Sequence, residues 1–122
     1  MASMTGSLNS IMQLNGAVAV AVVDLDSGMS LGQAGGANVN MDLAAAGNTE
    51  VIRAKMRVMR DLDLGDEIED ILITLGKQYH LLRLIKTKGS AGLFLYCMLD
   101  RDKANLAMAR HKIAEIEKTF SL

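Results

Sequence analysis

The chain of 122 residues is 50% apolar and 22% charged with a mean hydropathy of +0.20, which fits one compact domain with its own core and excludes two. Its 13 basic and 14 acidic residues leave a net charge of -1, so no global field draws it to nucleic acid or to an anionic membrane. A single cysteine, Cys97, excludes an internal disulfide or a cysteine-rich zinc site and suits a reducing cytosol.

Proline and tryptophan are absent, the aromatics are Tyr79, Phe94, Tyr96 and Phe120, and methionine occurs nine times. The expected core is therefore aliphatic and methionine-rich. The first 52 residues hold no Lys or Arg to form the basic region of a signal peptide. The apolar run Ala17 to Val23 spans only about a third of a membrane-crossing helix. These features predict a soluble, cytoplasmic protein without membrane insertion.

Residues 1–6 are small and polar and are expected to form a flexible start, so that the domain spans 7–122. Leu8, Ile11 and Met12 then give Ser7 to Leu14 one apolar edge at helical spacing. Ala17 to Val23, unbroken by polar residues, reads as a strand covered on both faces. Asp24-Leu25-Asp26-Ser27-Gly28 supplies turn residues, and Met29 and Leu31 alternate with Ser30 and Gly32 beyond it, which predicts a hairpin. Gly32 to Ala37 reads as a flexible glycine-rich linker, after which Asn40 or Asp42 caps a long helix.

That helix is predicted over Met41 to Arg60, with Met41, Ala45, Asn48, Ile52, Met56 and Met59 on one side. Gly47 interrupts it near its start, at about 1 kcal/mol relative to alanine. Arg53, Lys55, Arg57 and Arg60 lie toward its C-terminus, where the helix dipole favours cations. Six acids follow between Asp61 and Asp70, and the two runs are expected to neutralise each other. From Ile71 the period becomes two, with Ile71, Ile73 and Leu75 on one face of a strand. Gly76-Lys77 turns the chain into a strand from Tyr79 to Ile85, a basic loop runs from Lys86 to Ser90, and Leu93 to Leu99 forms the last, nearly all-apolar strand. Asp100 or Asp102 is expected to cap a final helix bearing Leu106, Ala109, Ile113, Ile116 and Phe120 on one stripe. Short joints between the strands predict an antiparallel sheet with helices packed on its faces, an α+β domain of order α-β-β-α-β-β-β-α.

The chemistry-bearing residues assemble no known catalytic pattern. The glycines of residues 32–36 lack the following Lys of a phosphate-binding loop and the spacing of a dinucleotide fingerprint. His80 falls in a strand and His111 on a helix, with no Gly-x-Ser-x-Gly elbow to supply a nucleophile. Cys97 lies within an apolar strand, where desolvation makes a thiol a poor nucleophile. The acidic run lacks the register of a calcium loop. The expectation is a protein that is not an enzyme, holds no cofactor or metal and works by contact with other proteins.

Three stretches carry a family resemblance: Gly16 to Gly32, Ile71 to Leu99, and the Leu-Asp-Arg-Asp-x-Ala-Asn-Leu-x-x-Ala-Arg entry to the final helix. They resemble the Roadblock family of dynein light chains and bacterial regulators of small GTPases. The resemblance implies a profilin-like sandwich with a five-stranded antiparallel sheet, and a homodimer in which the long helix and the adjoining strand pair across a two-fold axis. It also implies regulation or scaffolding of a Ras-like small GTPase. An edge strand with alternating apolar residues needs a partner or a cover, and Glu69 to Leu75 suits pairing with its own copy. Ile52, Met56, Met59, Ile71 and Ile73 are the expected dimer residues, and Arg53, Arg57 and Arg60 the expected partner-binding surface. Two alternatives stand beside the GTPase regulator: a purely structural adaptor, joined to other Roadblock-type or motor-associated subunits, and a small-ligand-sensing domain.

Overall fold

The computed structural model describes residues 3–122. Along the chain run α1 (Met4–Met12), β1 (Ala17–Asp24), β2 (Ser30–Gly35), α2 (Met41–Asp61), β3 (Asp70–Thr74), β4 (Gln78–Leu84), β5 (Leu93–Asp100) and α3 (Leu106–Thr119). The five strands form one antiparallel sheet in the order β2-β1-β5-β4-β3, so the first hairpin joins the later three strands through the β1–β5 pairing. The anticipated α+β order, with helices on both faces, is the observed one.

Strand alternation sends side chains to two separate cores. Val20, Val22, Leu81, Leu95 and Cys97 meet Leu8 and Ile11 of α1 and Ile113, Ile116 and Phe120 on and beyond α3. Ala19, Ala21, Val23, Leu82, Phe94, Tyr96 and Met98 meet Met41, Ala45 and Ile52 of α2. β5 serves both faces and is buried from Leu93 to Leu99, as its unbroken apolar run requires. α2 lies chiefly over β1 and β2; Leu82 of β4 is still buried in its core, while Ile71, Ile73 and His80 toward the β3 edge stay half-buried and partly open.

Four expectations are corrected. α1 begins at Met4, where the Ser3 hydroxyl oxygen accepts from the Gly6 N–H at 3.1 Å, so residues 3–6 belong to the fold; Met1 and Ala2 of the expected flexible start lie outside the described residues. Most of the supposed linker is strand, since Gly32 to Gly35 belong to β2. The reason is packing: a Cβ on Gly32 would stand 3.0 Å from Met4, so its bareness lets α1 lie close against the sheet. α3 is capped not by Asp100 or Asp102 but by Asn105, whose side chain accepts from the Met108 N–H at 3.1 Å. Asp100 instead accepts from the Asp102 N–H and shapes the preceding turn.

The fourth correction concerns the acidic run. Its ion pairs come from beyond α2: Lys86 meets Glu67 at 3.4 Å, while Arg110 and Arg83 meet Asp70 at 2.7 and 3.7 Å. The loop turns away from the helix at Leu62, and Asp63 takes a positive φ of 54°. The basic end of α2 therefore stays free of these acids.

Candidate docking surface

α2 is capped by Asn40, whose side chain accepts from the Leu43 N–H at 3.1 Å. Its inward stripe, Met41, Ala45, Thr49 and Ile52, fixes the rotation of the helix on β1 and β2. A second apolar stripe is consequently presented outward. Leu43, Gly47, Val51, Ala54, Val58 and Leu62 follow steps of four, four, three, four and four, and Leu43, Val51, Val58 and Leu62 are 69%, 39%, 43% and 63% exposed. An exposed run of large side chains over five helical turns is costly unless it is covered.

The sheet adds to this stripe. Ile71 and Ile73 on β3 sit opposite Leu82 and His80 on β4; Leu82 is buried in the core under α2, whereas both isoleucines and His80, toward the β3 edge and the far end of β4, are only half-buried. β3 is also an edge, with one row of backbone groups unpaired within the protomer. The helix stripe, the half-buried isoleucines and the free edge are three partly exposed apolar or unpaired features of one protomer. Beneath the C-terminal half of α2 the end of the sheet opens into a groove of about 1190 Å³, floored by Met56, Met59, Ile68, Leu84 and Leu93.

The anticipated dimer residues divide in this light. Ile71 and Ile73 lie half-buried on the β3 edge, and Met56 and Met59 are half-buried along the groove. Ile52 is corrected: it is wholly buried against its own sheet and has no surface to offer a partner. The outward stripe was missed, although its heptad-like spacing is present in the sequence. It was hidden because the inward stripe, offset by two residues, satisfies the same periodicity.

Arg53, Arg57 and Arg60 are exposed on α2. They are not equivalent. The Arg53 guanidinium donates to the Asp26 carbonyl and so anchors the β1–β2 turn, whereas Arg57 and Arg60 take part in no ion pair among the described residues. Two free guanidiniums beside an apolar stripe suit recognition of a carboxylate- or phosphate-bearing partner.

Polar groups gather on the partly open face. His80 lies between Gln78 and Tyr96, and burial lowers its pKa from the ordinary value of 6.5. Burial raises that of Tyr96, against a hydrogen bond from the Asn48 side chain that lowers it. On the other face burial pushes the Cys97 thiol up to about 12, leaving no thiolate nucleophile near neutrality. His111 is exposed on α3 beside Glu115 at 2.8 Å, remote from any cleft. Among the described residues no three His, Cys, Asp or Glu side chains are grouped to hold a metal.

No protein-family model matches the sequence, and no curated protein does. Solved structures do. MglB of Myxococcus xanthus superposes with a TM-score of 0.78 at 18% identity, covering 91% of this chain and 85% of its own. The Roadblock/LC7 domain from Streptomyces avermitilis gives 0.78 at 13% identity, covering 93% and 90%. MglC of Myxococcus xanthus gives 0.58 at 18% identity, covering 93% and 92%. With the element order, the sheet order and these superpositions in agreement over nearly the whole length, the chain has the Roadblock/LC7 fold.

Proposed function

We propose that the protein is a non-enzymatic, cytoplasmic, homodimeric regulator or scaffold that binds a Ras-like small GTPase and modulates its nucleotide hydrolysis or localisation. The observations that support the dimer are the exposed α2 stripe, the half-buried Ile71 and Ile73 and the unpaired β3 edge. In an antiparallel two-fold arrangement centred between Val51 and Ala54, Leu43 of one copy meets Leu62 of the other, and Gly47 meets Val58. The bareness of Gly47, whose missing Cβ would meet nothing within 4 Å in the protomer, lets the second helix approach closely. β3 then pairs with its own copy, and a ten-stranded sheet removes two exposed edges.

The GTPase partner is supported by the Roadblock resemblance together with Arg57 and Arg60, left available on the same helix. Such a regulator needs no nucleophile of its own, because it acts by fixing the switch segments of the GTPase. Light scattering on the wild type and on a Val58→Glu, Ile73→Glu variant tests the dimer. The wild type is expected near twice 13.1 kDa and the variant as a folded monomer. Nucleotide hydrolysis and exchange, measured on each Ras-like GTPase of the host with and without the dimer, test the partner. Unchanged rates for all of them, with a stable multi-subunit assembly recovered instead, would favour the purely structural adaptor.

A further inference from the structure

Three elements surround His80 on the partly open face. Its Nε2 lies 2.9 Å from Gln78 Oε1, its Nδ1 lies 3.3 Å from the Tyr96 hydroxyl, and its ring stands edge-on to that of Tyr96 with centroids 5.5 Å apart. Because Gln78 Oε1 can only accept, Nε2 carries the hydrogen, and Nδ1 is left to accept from the Tyr96 O–H. Both ring nitrogens are thus satisfied in the neutral state. A second proton on Nδ1 would confront the tyrosine hydrogen and force the phenol to turn.

No charge on the surrounding elements compensates an imidazolium here. Across β3 the neighbour is the apolar Ile73, across β5 it is Met98, and α2 contributes the neutral Asn48 through Tyr96. Asp100 faces Gln78, but its carboxylate is engaged by the Asp102 N–H. Lys55 of α2 borders residues 66–71 near the opposite end of β3. Arg101 is drawn to the Leu75 carbonyl and the Tyr79 ring, and Asp70 and Arg83 pair on the α3 side. His80 takes part in no ion pair among the described residues.

We propose that His80 is an acid-operated switch for the two-fold interface: its protonation on the face shared with Ile73 disfavours association of two copies. This rests on the homodimer reading above. Burial already depresses the His80 pKa in one protomer. A second copy seated on Ile73 removes more water and depresses it further, because desolvation penalises the charged ring. The dimer then binds fewer protons than two separate protomers. Association is therefore strongest above the ordinary histidine value and is lost as the pH falls through the depressed value of the free protomer.

Sedimentation measurements of the dimer dissociation constant at about pH 7.5, 6.5 and 5.5 test this on the wild type, on His80→Gln and on His111→Gln. Wild type and His111→Gln are expected to dissociate severalfold more readily at the lowest pH, with His80→Gln nearly flat. As a check that does not depend on a variant folding, the His80 imidazole titrated by NMR in the wild type should show a lower pKa at high than at low protein concentration. A wild-type dimer whose affinity ignores pH, a His80→Gln dimer that keeps the dependence, or a His80 pKa independent of concentration overturns the switch alone. A wild type monomeric at every pH overturns the dimer and the switch with it.

Discussion

Glu117 on α3 accepts from both Nε and Nη2 of Arg83 on β4, at 3.3 and 3.2 Å, across 34 residues of sequence. The pair is nearly dry, with side-chain exposures of 7% and 15%. The other Glu117 oxygen accepts from the Lys86 N–H, and the Glu117 carbonyl accepts from the Thr87 hydroxyl. Arg83 also reaches Asp70, so α3 holds the loop after β4 and the edge strand β3 together. Glu117→Ala leaves the Arg83 guanidinium with Asp70 alone and strands the Lys86 N–H, and is expected to cost about 2–3 kcal/mol in a urea titration. Replacing both partners with apolar residues, Glu117→Leu with Arg83→Met, is expected to cost much less.

Two glycines are expected to respond in opposite directions to alanine. Gly16 has a φ of +81°, and a Cβ there would lie 2.8 Å from the Ala104 nitrogen, so Gly16→Ala should destabilise by more than about 1 kcal/mol. Gly47 lies within α2 and faces open space, so Gly47→Ala should stabilise the dilute protomer by about 1 kcal/mol. Thermal melting at low protein concentration reads both. At high concentration the gain at Gly47 should shrink, because the added methyl separates the paired helices.

The thiol of Cys97 should be silent in the native protein. It is buried on a central strand with its pKa pushed up to about 12, so a disulfide reagent at about pH 8 should label it only through unfolding. Labelling is expected to be rapid in denaturant and to follow the unfolding rate without it.

Arg57→Ala with Arg60→Ala should weaken GTPase binding while costing less than about 1 kcal/mol of stability, since neither side chain has an ion-pair partner among the described residues and only the favourable position of exposed cations near the end of α2 is lost. Arg53→Glu should also loosen the β1–β2 turn, through loss of its bond to the Asp26 carbonyl. Isothermal titration against the GTPase, with melting curves of the same variants, separates the two effects.

Much of the fold was legible because its signals are local. The apolar runs of β1 and β5, the alternation of β3 and the stripe of α3 each name an element within a few residues of its observed bounds. Gly32 to Gly35 misled because glycine signals a flexible chain locally, whereas here it answers a contact with Met4 of another element. Ile52 misled for a related reason. Periodicity finds an apolar stripe but cannot say which of two adjacent stripes turns inward, and that choice is made by Thr49 and Ala45 against the sheet. The association of Asn48, Tyr96, His80 and Gln78 depends on strand register, which no single segment encodes.

The pairing of β1 with β5 also governs how the chain reaches this structure. Residue 17 finds its partner at residue 99, so the aliphatic first strand cannot be sealed until nearly the whole polypeptide is available. Such long-range closure slows folding, because the entropy of bringing distant segments together is spent before their contacts form. During synthesis Ala17 to Val23, a seven-residue apolar segment without a charge, stays open to wrong pairings while some seventy further residues emerge. The first hairpin is thus the stretch of this protein most in need of a chaperone.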